Sequence, residues 1–292
     1  MAANAAKGSV IRNISDTARW VAFYRAMETE RPDAIFNDPF ARKLAGERGE
    51  QIVNALRGGK RQAWAMVVRT KLLDDILLRI LNSETIDVVM NLAAGLDVRP
   101  YRLALPPALR WIEVDLPEMI DYKKQMLAGE KPRCQLEQVT MDLADVPARR
   151  EFFARINSGA QRIFVITEGL LAYLEEAQVT ELAEDLHQGG YFQYWVTDLA
   201  SPKVKQMMQK HWGKELSAAG APIKFAPPEA EEFFRPYGWE NAEFHDFYQA
   251  SVKFNRPMAG AWMIPIWKFL MPRRTEKMMK QWRSGVLLLR RT

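Results

Sequence analysis

The chain has little of what staples small secreted domains or builds metal sites: one cysteine, Cys134, and three histidines, His187, His211 and His245, in 292 residues. A lone thiol cannot close an intramolecular disulfide, and no Cys or His cluster has zinc-ligand spacing. A reducing compartment is expected, and no metal. No stretch reaches the roughly 18 apolar residues that a spanning helix needs, and the leading MAANAAKGSVIRNISD holds no apolar core of signal-peptide length. The expectation is a soluble, cytoplasmic protein without stable membrane insertion. An excess of one charge sign is missing too. The 41 basic and 36 acidic residues leave a net +5, too balanced to imply a nucleic-acid partner. One basic cluster stands out near the end, KFLMPRRTEKMMKQWR, whose plain reading is a solvated helical face.

What the chain has in quantity is apolar surface. A hydrophobic share of 48%, with 14 Phe, 9 Trp and 8 Tyr, excludes a disordered chain and supports a large core. From Ser15 to Gly59 the pattern is helical: TARWVAFYRAME sets Trp20, Phe23, Tyr24 and Met27 three and four residues apart, the stripe of a buried face. Asn37-Asp38-Pro39 signals a turn before a second helix near Phe40, and a third helix is expected over about 61–81.

Beyond them, short apolar runs alternate with helical stretches. IDVVMNLA (86–93), LRWIEVD (109–115), QLEQVTMD (135–142), RIFVITEG (162–169) and YFQYWVTD (191–198) read as strands; PEMIDYKKQML, ARREFFARI and EAQVTELAEDLHQ read as helices. Strands joined by crossover helices demand a parallel sheet with right-handed connections, and ligands then sit at the strands' carboxyl ends. After Asp198 come a helical stretch from Pro202 to Leu216, a loop, a helix at EAEEFFRPYGWE and two more strands, ENAEFHDF and GVLLLRR. We expect an α/β fold, a single domain over 1–292 around a seven-stranded, mostly parallel sheet. Residues 1–82 form an N-terminal helical cover, 83–198 the core, and 199–292 a helical insertion after the fifth strand plus the last strands.

The polar residues that interrupt this pattern fall at strand ends. The loop after the first strand, NLAAGLDVRPYRL, puts Ala93, Ala94 and Gly95 where a ligand backbone would approach, and Gly95 tolerates a positive φ. It is not the dinucleotide fingerprint GxGxxG, because Ala93 replaces the first glycine and Val98 the third. That counts against a nicotinamide-dependent oxidoreductase on the same kind of sheet. Asp115 closes the second strand, where it can accept from both ribose hydroxyls or cap the helix PEMIDYKK. Asp142 and Leu143 follow the third, placed to receive an adenine amino group and pack on its ring; Asp142 or Asp145 can also cap the next helix. Glu168 follows the fourth, in TEGLLAYL, and a carboxylate on an apolar strand end needs a partner. Arg69, in VVRTKLLDD, can clamp a carboxylate with two bonds or pair on the surface with Asp74 or Asp75.

Together these pieces resemble the leucine carboxyl methyltransferase superfamily, in its bacterial small-molecule O-methyltransferase branch. TARWVAFYRAMETERPDAIFNDPFA, VVRTKLLDD, NLAAGLDVRPYRL, WIEVDLPEMIDYKKQML, MDLAD and TEGLLAYL stand in that family's order and spacing, so the resemblance runs from Ser15 to the C-terminal strand. It implies a Rossmann-like class I methyltransferase fold, S-adenosylmethionine as cofactor and S-adenosylhomocysteine as product. It also implies that Arg69 holds the methionyl carboxylate, Asp115 the ribose, Asp142 and Leu143 the adenine, and Glu168 the amino end. The family commonly has glycine where Ala93 stands. A catalytically silent module that only binds the cofactor is the rival; the intact set of Arg69, Asp115, Asp142 and Glu168 weighs against it.

The acceptor side is read from residue types alone. Methyl transfer from a sulfonium is an in-line displacement eased by positioning and desolvation. A carboxylate is ionised at neutral pH and needs no base, and none of the three histidines lies in a motif. A small molecule carrying a carboxylate or acidic hydroxyl is therefore the expected acceptor, and Tyr173, just past Glu168, a candidate for orienting it. Trp262 and Trp267, in the crowded segment WMIPIWKFL, are expected to roof an apolar pocket; core packing and an amphipathic contact with a membrane surface are the alternatives.

Overall fold

The computed structural model describes residues 10–157 and 162–292. Three helices come first: α1 (Ile14–Thr29), α2 (Ala41–Ala55) and α3 (Ala63–Ser83). Strands and helices then alternate: β1 (Val88–Leu92), α4 (Arg99–Arg102), β2 (Arg110–Asp115), α5 (Pro117–Met126), β3 (Gln135–Thr140), α6 (Val146–Asn157), β4 (Ile163–Thr167), α7 (Glu176–Gln188) and β5 (Phe192–Leu199). The remainder holds α8 (Pro202–Ala218), β6 (Trp239–Asp246), α9 (Phe247–Lys253), α10 (Met263–Leu270), α11 (Pro272–Gln281) and β7 (Gly285–Arg291).

The strands form one sheet in the order β3-β2-β1-β4-β5-β7-β6. β1 to β5 run parallel, and β7 enters antiparallel between β5 and β6, giving the Rossmann-like class I methyltransferase sheet. β1 and β4 are unbroken runs buried along their whole length, as central strands covered on both faces must be, whereas β3 at the edge leaves every glutamine and Glu137 at least partly in solvent. From β1 the chain builds outward to β2 and β3 on one side, then returns to lay β4 and β5 on the other. The loops after β1 and β4 therefore border the crevice where such a sheet takes its ligands.

Helices α6 and α7 cover one face through Phe152, Phe153, Val179 and Leu182. The other face meets α3, whose Val68, Leu72, Ile76 and Ile80 pack with Val89, Trp111 and Phe164. A third cluster joins Trp20, Phe23 and Tyr24 of α1, Ile52 of α2 and Trp212 of α8 to Leu96 and Val98 in the loop after β1. The N-terminal helices thus lie on the carboxyl-end loops, and Trp20 and Trp212 lock them edge to face with ring centroids 5.4 Å apart.

One expectation changes. The stretch EAEEFFRPYGWE is no helix: it passes through turns into a single 3-10 turn at Arg235–Tyr237. Pro236 has no N–H to donate, and Gly238 at φ 81° reverses the chain into β6. The segment WMIPIWKFL becomes α10, in which only Ile264 is buried. Trp262 is 72% exposed and Trp267 37%, so both present aromatic surface to solvent. Pro265 in its first turn and Pro272 just past its end keep α10 short.

Candidate functional site

Arg69 of α3 reaches the ends of β4 and β5. Its Nε donates to Glu168 Oε1 and its Nη1 to Asp198 Oδ2, both at 3.0 Å. Glu168 is shared, because Arg99 Nη1 donates to its Oε2 at 2.7 Å. Arg99 also donates to Asp97 and to Asp74 at 2.7 Å, and Arg102 reaches the same Asp74 oxygen at 2.7 Å. Asn91 of β1 steadies Asp97 through a 2.8 Å bond from Nδ2. A buried ionic chain thus runs from Arg102 through Asp74, Arg99, Glu168 and Arg69 to Asp198, fastening α3 to the loop after β1 and to the ends of β4 and β5.

Burial alone would push these carboxyls toward the neutral form. The guanidiniums win instead. Against that desolvation, Arg99, Lys123 and the Arg99 backbone N–H hold Asp97 down at about 2, and Arg99 and Arg69 keep Glu168 below the usual carboxylate range. Three guanidiniums face four carboxylates (Asp74, Asp97, Glu168 and Asp198), so the chain keeps one net negative charge.

The turn after β1 bends through two positive φ angles, Ala93 at 54° and Gly95 at 52°. Its Gly95 N–H donates to Asp115 Oδ2 at 2.6 Å, and the Leu116 N–H donates to Oδ1 at 2.7 Å. These bonds fix the carboxylate at the end of β2 without making it a cap, since the N-cap of α5 is Leu116. Burial raises the Asp115 carboxyl above its ordinary pKa, with the two N–H donors opposing. A carboxylate has roughly four acceptor positions, so about two remain for a ligand. Asp142 is exposed; its Oδ1 accepts the Ala144 N–H at 2.9 Å, while Asp145 accepts the Ala148 N–H in the first turn of α6. Capping therefore falls to Asp145, and Asp142 Oδ2 has no partner among the described residues. Leu143 beside it is half-buried against the core.

The alternative partners weighed for Arg69 are taken elsewhere: Asp74 by Arg99 and Arg102, Asp75 by Lys71. Nor is a two-bond clamp preformed. Nε and Nη1 are engaged, Nη2 has no partner among the described residues, and gripping an external carboxylate with two nitrogens requires one internal pair to open. Gly169, at φ 69°, lets this happen closely, since a Cβ there would stand 3.3 Å from Arg69 Nη1. Tyr173 packs in the third cluster beside α1; burial raises its phenol, opposed by nearby Arg69 and a hydrogen bond with Thr17. Reading the sequence missed Asp97, Arg99, Asn91 and Asp198. The available signal was polarity against context: Asn91 inside an apolar strand, Asp97 and Arg99 two residues apart in the loop that follows, and Asp198 closing YFQYWVTD.

The leucine carboxyl methyltransferase family model matches residues 18–187, more than half of the chain, from α1 into the last turn of α7. A relative from Streptomyces coelicolor is 31% identical over 256 residues, covering 83% of this chain and 88% of its own. One from Mycobacterium avium is 32% identical over 277 residues, covering 78% and 83%. Both are named as proposed S-adenosyl-L-methionine-dependent methyltransferases. Among solved structures, a DUF574 family protein from Streptomyces avermitilis superposes with a TM-score of 0.60 at 14% identity, over 94% of this chain and 97% of that one. A proposed methyltransferase from Thermobifida fusca gives 0.55 at 14% identity, over 97% and 96%. At such identity these two speak for the fold alone. With its sheet order, its matched segment and its relatives in agreement, the chain belongs to the leucine carboxyl methyltransferase family of S-adenosylmethionine-dependent methyltransferases.

Proposed function

We propose that this chain transfers the methyl group of S-adenosylmethionine to an oxygen, a carboxylate or an acidic hydroxyl, of a small hydrophobic metabolite in the cytoplasm. The observation that supports the choice of oxygen is that none of the three histidines lies in the strand-end cluster of Arg69, Asp97, Arg99, Glu168 and Asp198. Its carboxyls Asp97 and Glu168 are held ionised, and Tyr173 is raised and stays a protonated phenol. The histidines lie elsewhere: His187 against Trp239, His211 exposed on α8, and His245 on the edge strand β6, 2.8 Å from Glu243. An ordinary alcohol would need a base, whereas a carboxylate arrives as the nucleophile.

The donor set suits the cofactor, which when bound supplies an electrophilic methyl on a sulfonium. Asp115 has acceptor positions left for the ribose hydroxyls, and Asp142 Oδ2 is open to an adenine amino group with Leu143 beside it. Ala93 and Gly95 curve the backbone for close approach. Arg69 would hold the methionyl carboxylate through Nη2 and Glu168 the amino end. The net negative charge of the ionic chain favours a ligand with one net positive charge. Tyr173, as a neutral phenol, would donate a hydrogen bond that orients the acceptor.

Calorimetric titration with S-adenosylmethionine, S-adenosylhomocysteine and NAD tests the cofactor assignment, and labelled-methyl transfer to matched aliphatic and aromatic acids and alcohols tests the acceptor. The expected outcome is binding of the first two ligands only, with acids methylated and plain alcohols not. Methylation confined to amines would overturn the oxygen assignment. Tight binding with no turnover on any acceptor would favour the silent module.

A further inference from the structure

We propose that α10 and α11 form a docking surface for an anionic lipid bilayer. This goes beyond the reaction, whose residues lie on other elements. The segment is apolar where it should be covered and is not. Phe269 is 86% exposed and Trp262 72%, with Leu270, Ile266, Met271 and Trp282 also exposed. Against them α10 and α11 bury one side chain each, Ile264 and Thr275. So many exposed apolar side chains gathered in one short segment of a folded protein mark an interaction site.

Charge decides what covers it. Lys268, Arg273, Arg274, Lys277 and Lys280 are all exposed, and none has an ion-pair partner among the described residues. Glu276 is the one acid between residues 262 and 282. Protein interfaces enrich tryptophan and arginine but deplete lysine. Tryptophan, phenylalanine and leucine beside unpaired lysine and arginine instead match an element lying in the headgroup region of an anionic membrane. The eight residues of α10 span about 12 Å, enough to lie in the interface and far too little to cross. No helix among the described residues is long and apolar enough to cross a membrane.

The topology sets where this surface sits. β7 starts at Gly285, which pairs with Leu199 at the carboxyl end of β5. The segment therefore enters the sheet at the edge that carries Asp115, Glu168 and Asp198. Docking would turn the carboxyl-end crevice toward the lipid, where a hydrophobic acceptor concentrates.

Co-sedimentation of the full chain with vesicles tests this. The protein should pellet with vesicles containing phosphatidylglycerol and not with pure phosphatidylcholine. Raising ionic strength from about 0.1 to about 1 M, which shortens the screening length from about 10 to about 3 Å, should release it. Phe269→Glu combined with Leu270→Glu should weaken vesicle binding on the order of tenfold or more, with melting temperature and S-adenosylmethionine binding unchanged. Failure of the wild-type protein to pellet with phosphatidylglycerol, or undiminished pelleting of the double variant, would overturn the proposal. So would a dimer in sedimentation velocity that the double variant dissolves, since the face would then be a contact between two copies.

Discussion

Ala93 stands in the left-handed region at φ 54°, which costs an L residue about 1–2 kcal/mol. Glycine would remove that cost but would add about 0.5–1 kcal/mol of lost chain freedom on folding. The strain is the larger of the two, so Ala93→Gly should stabilise the fold by up to about 1 kcal/mol, raising Tm by about 2 °C. A lower Tm would show that the methyl packs usefully in the turn. Arg69→Lys tests the site. A point ammonium cannot serve Glu168 and Asp198 and still meet a carboxylate with a planar face. Affinity for S-adenosylmethionine should fall roughly tenfold or more, while an analogue lacking the α-carboxylate should lose much less; equal losses would remove the carboxylate from Arg69. The positions of Asp115, Asp142 and Glu168 at strand ends were legible because a polar side chain closing an apolar run is conspicuous. Their partners were not. Arg69 finds Asp198 across 129 residues of chain, and no local pattern encodes such a meeting.

Elements were more legible than partners, because hydrophobic period and caps act locally. EAQVTELAEDLHQ matches α7 end to end, bounded by the capping box that Glu175 and Gln178 form. All seven strands lie where apolar runs placed them, whereas at EAEEFFRPYGWE Pro236 and Gly238 leave only a single 3-10 turn in place of the expected helix. Packing between elements was invisible until the helices met. Gly49 of α2 lies so close to α1 that a Cβ would stand 2.6 Å from the Arg19 carbonyl oxygen, a backbone atom that cannot step aside. Gly213 of α8 has only Gln209 Cβ near, at 3.8 Å. Gly49→Ala should therefore destabilise by about 1–3 kcal/mol, and Gly213→Ala should stabilise by up to about 1 kcal/mol through helix propensity. Urea titration of both variants checks the contrast. Similar signs would mean that the α1 and α2 pairing is looser than this geometry.

At the scale of the whole molecule, the ionic chain from Arg102 to Asp198 joins the helical cover to the sheet, so its protonation should loosen the two together. Asp97 reports on it, being bonded to both Arg99 and Asn91. Its pKa is depressed from 3.8 to about 2 in the fold. A depressed carboxyl contributes stability that is fully present above the unfolded value and is lost as pH falls through the folded one, here between about 3.8 and about 2. A shift of that size corresponds to about 2 kcal/mol. Glu113 and Asp115 act the other way, since burial raises both and their protonation in acid favours the folded state. The net acid limb of the wild-type protein therefore mixes signs, and only a difference isolates the ionic chain. Asp97→Asn keeps the shape and removes the charge. Its deficit against wild type should be about 2 kcal/mol or more at pH 7, hold level down to about pH 4 and shrink as pH falls further. Denaturant titrations of both proteins at pH 7, 4 and 3 give that difference directly. A deficit independent of pH would mean that Asp97 stabilises by packing and hydrogen bonding alone, and that the charge of the chain is not what holds cover to sheet.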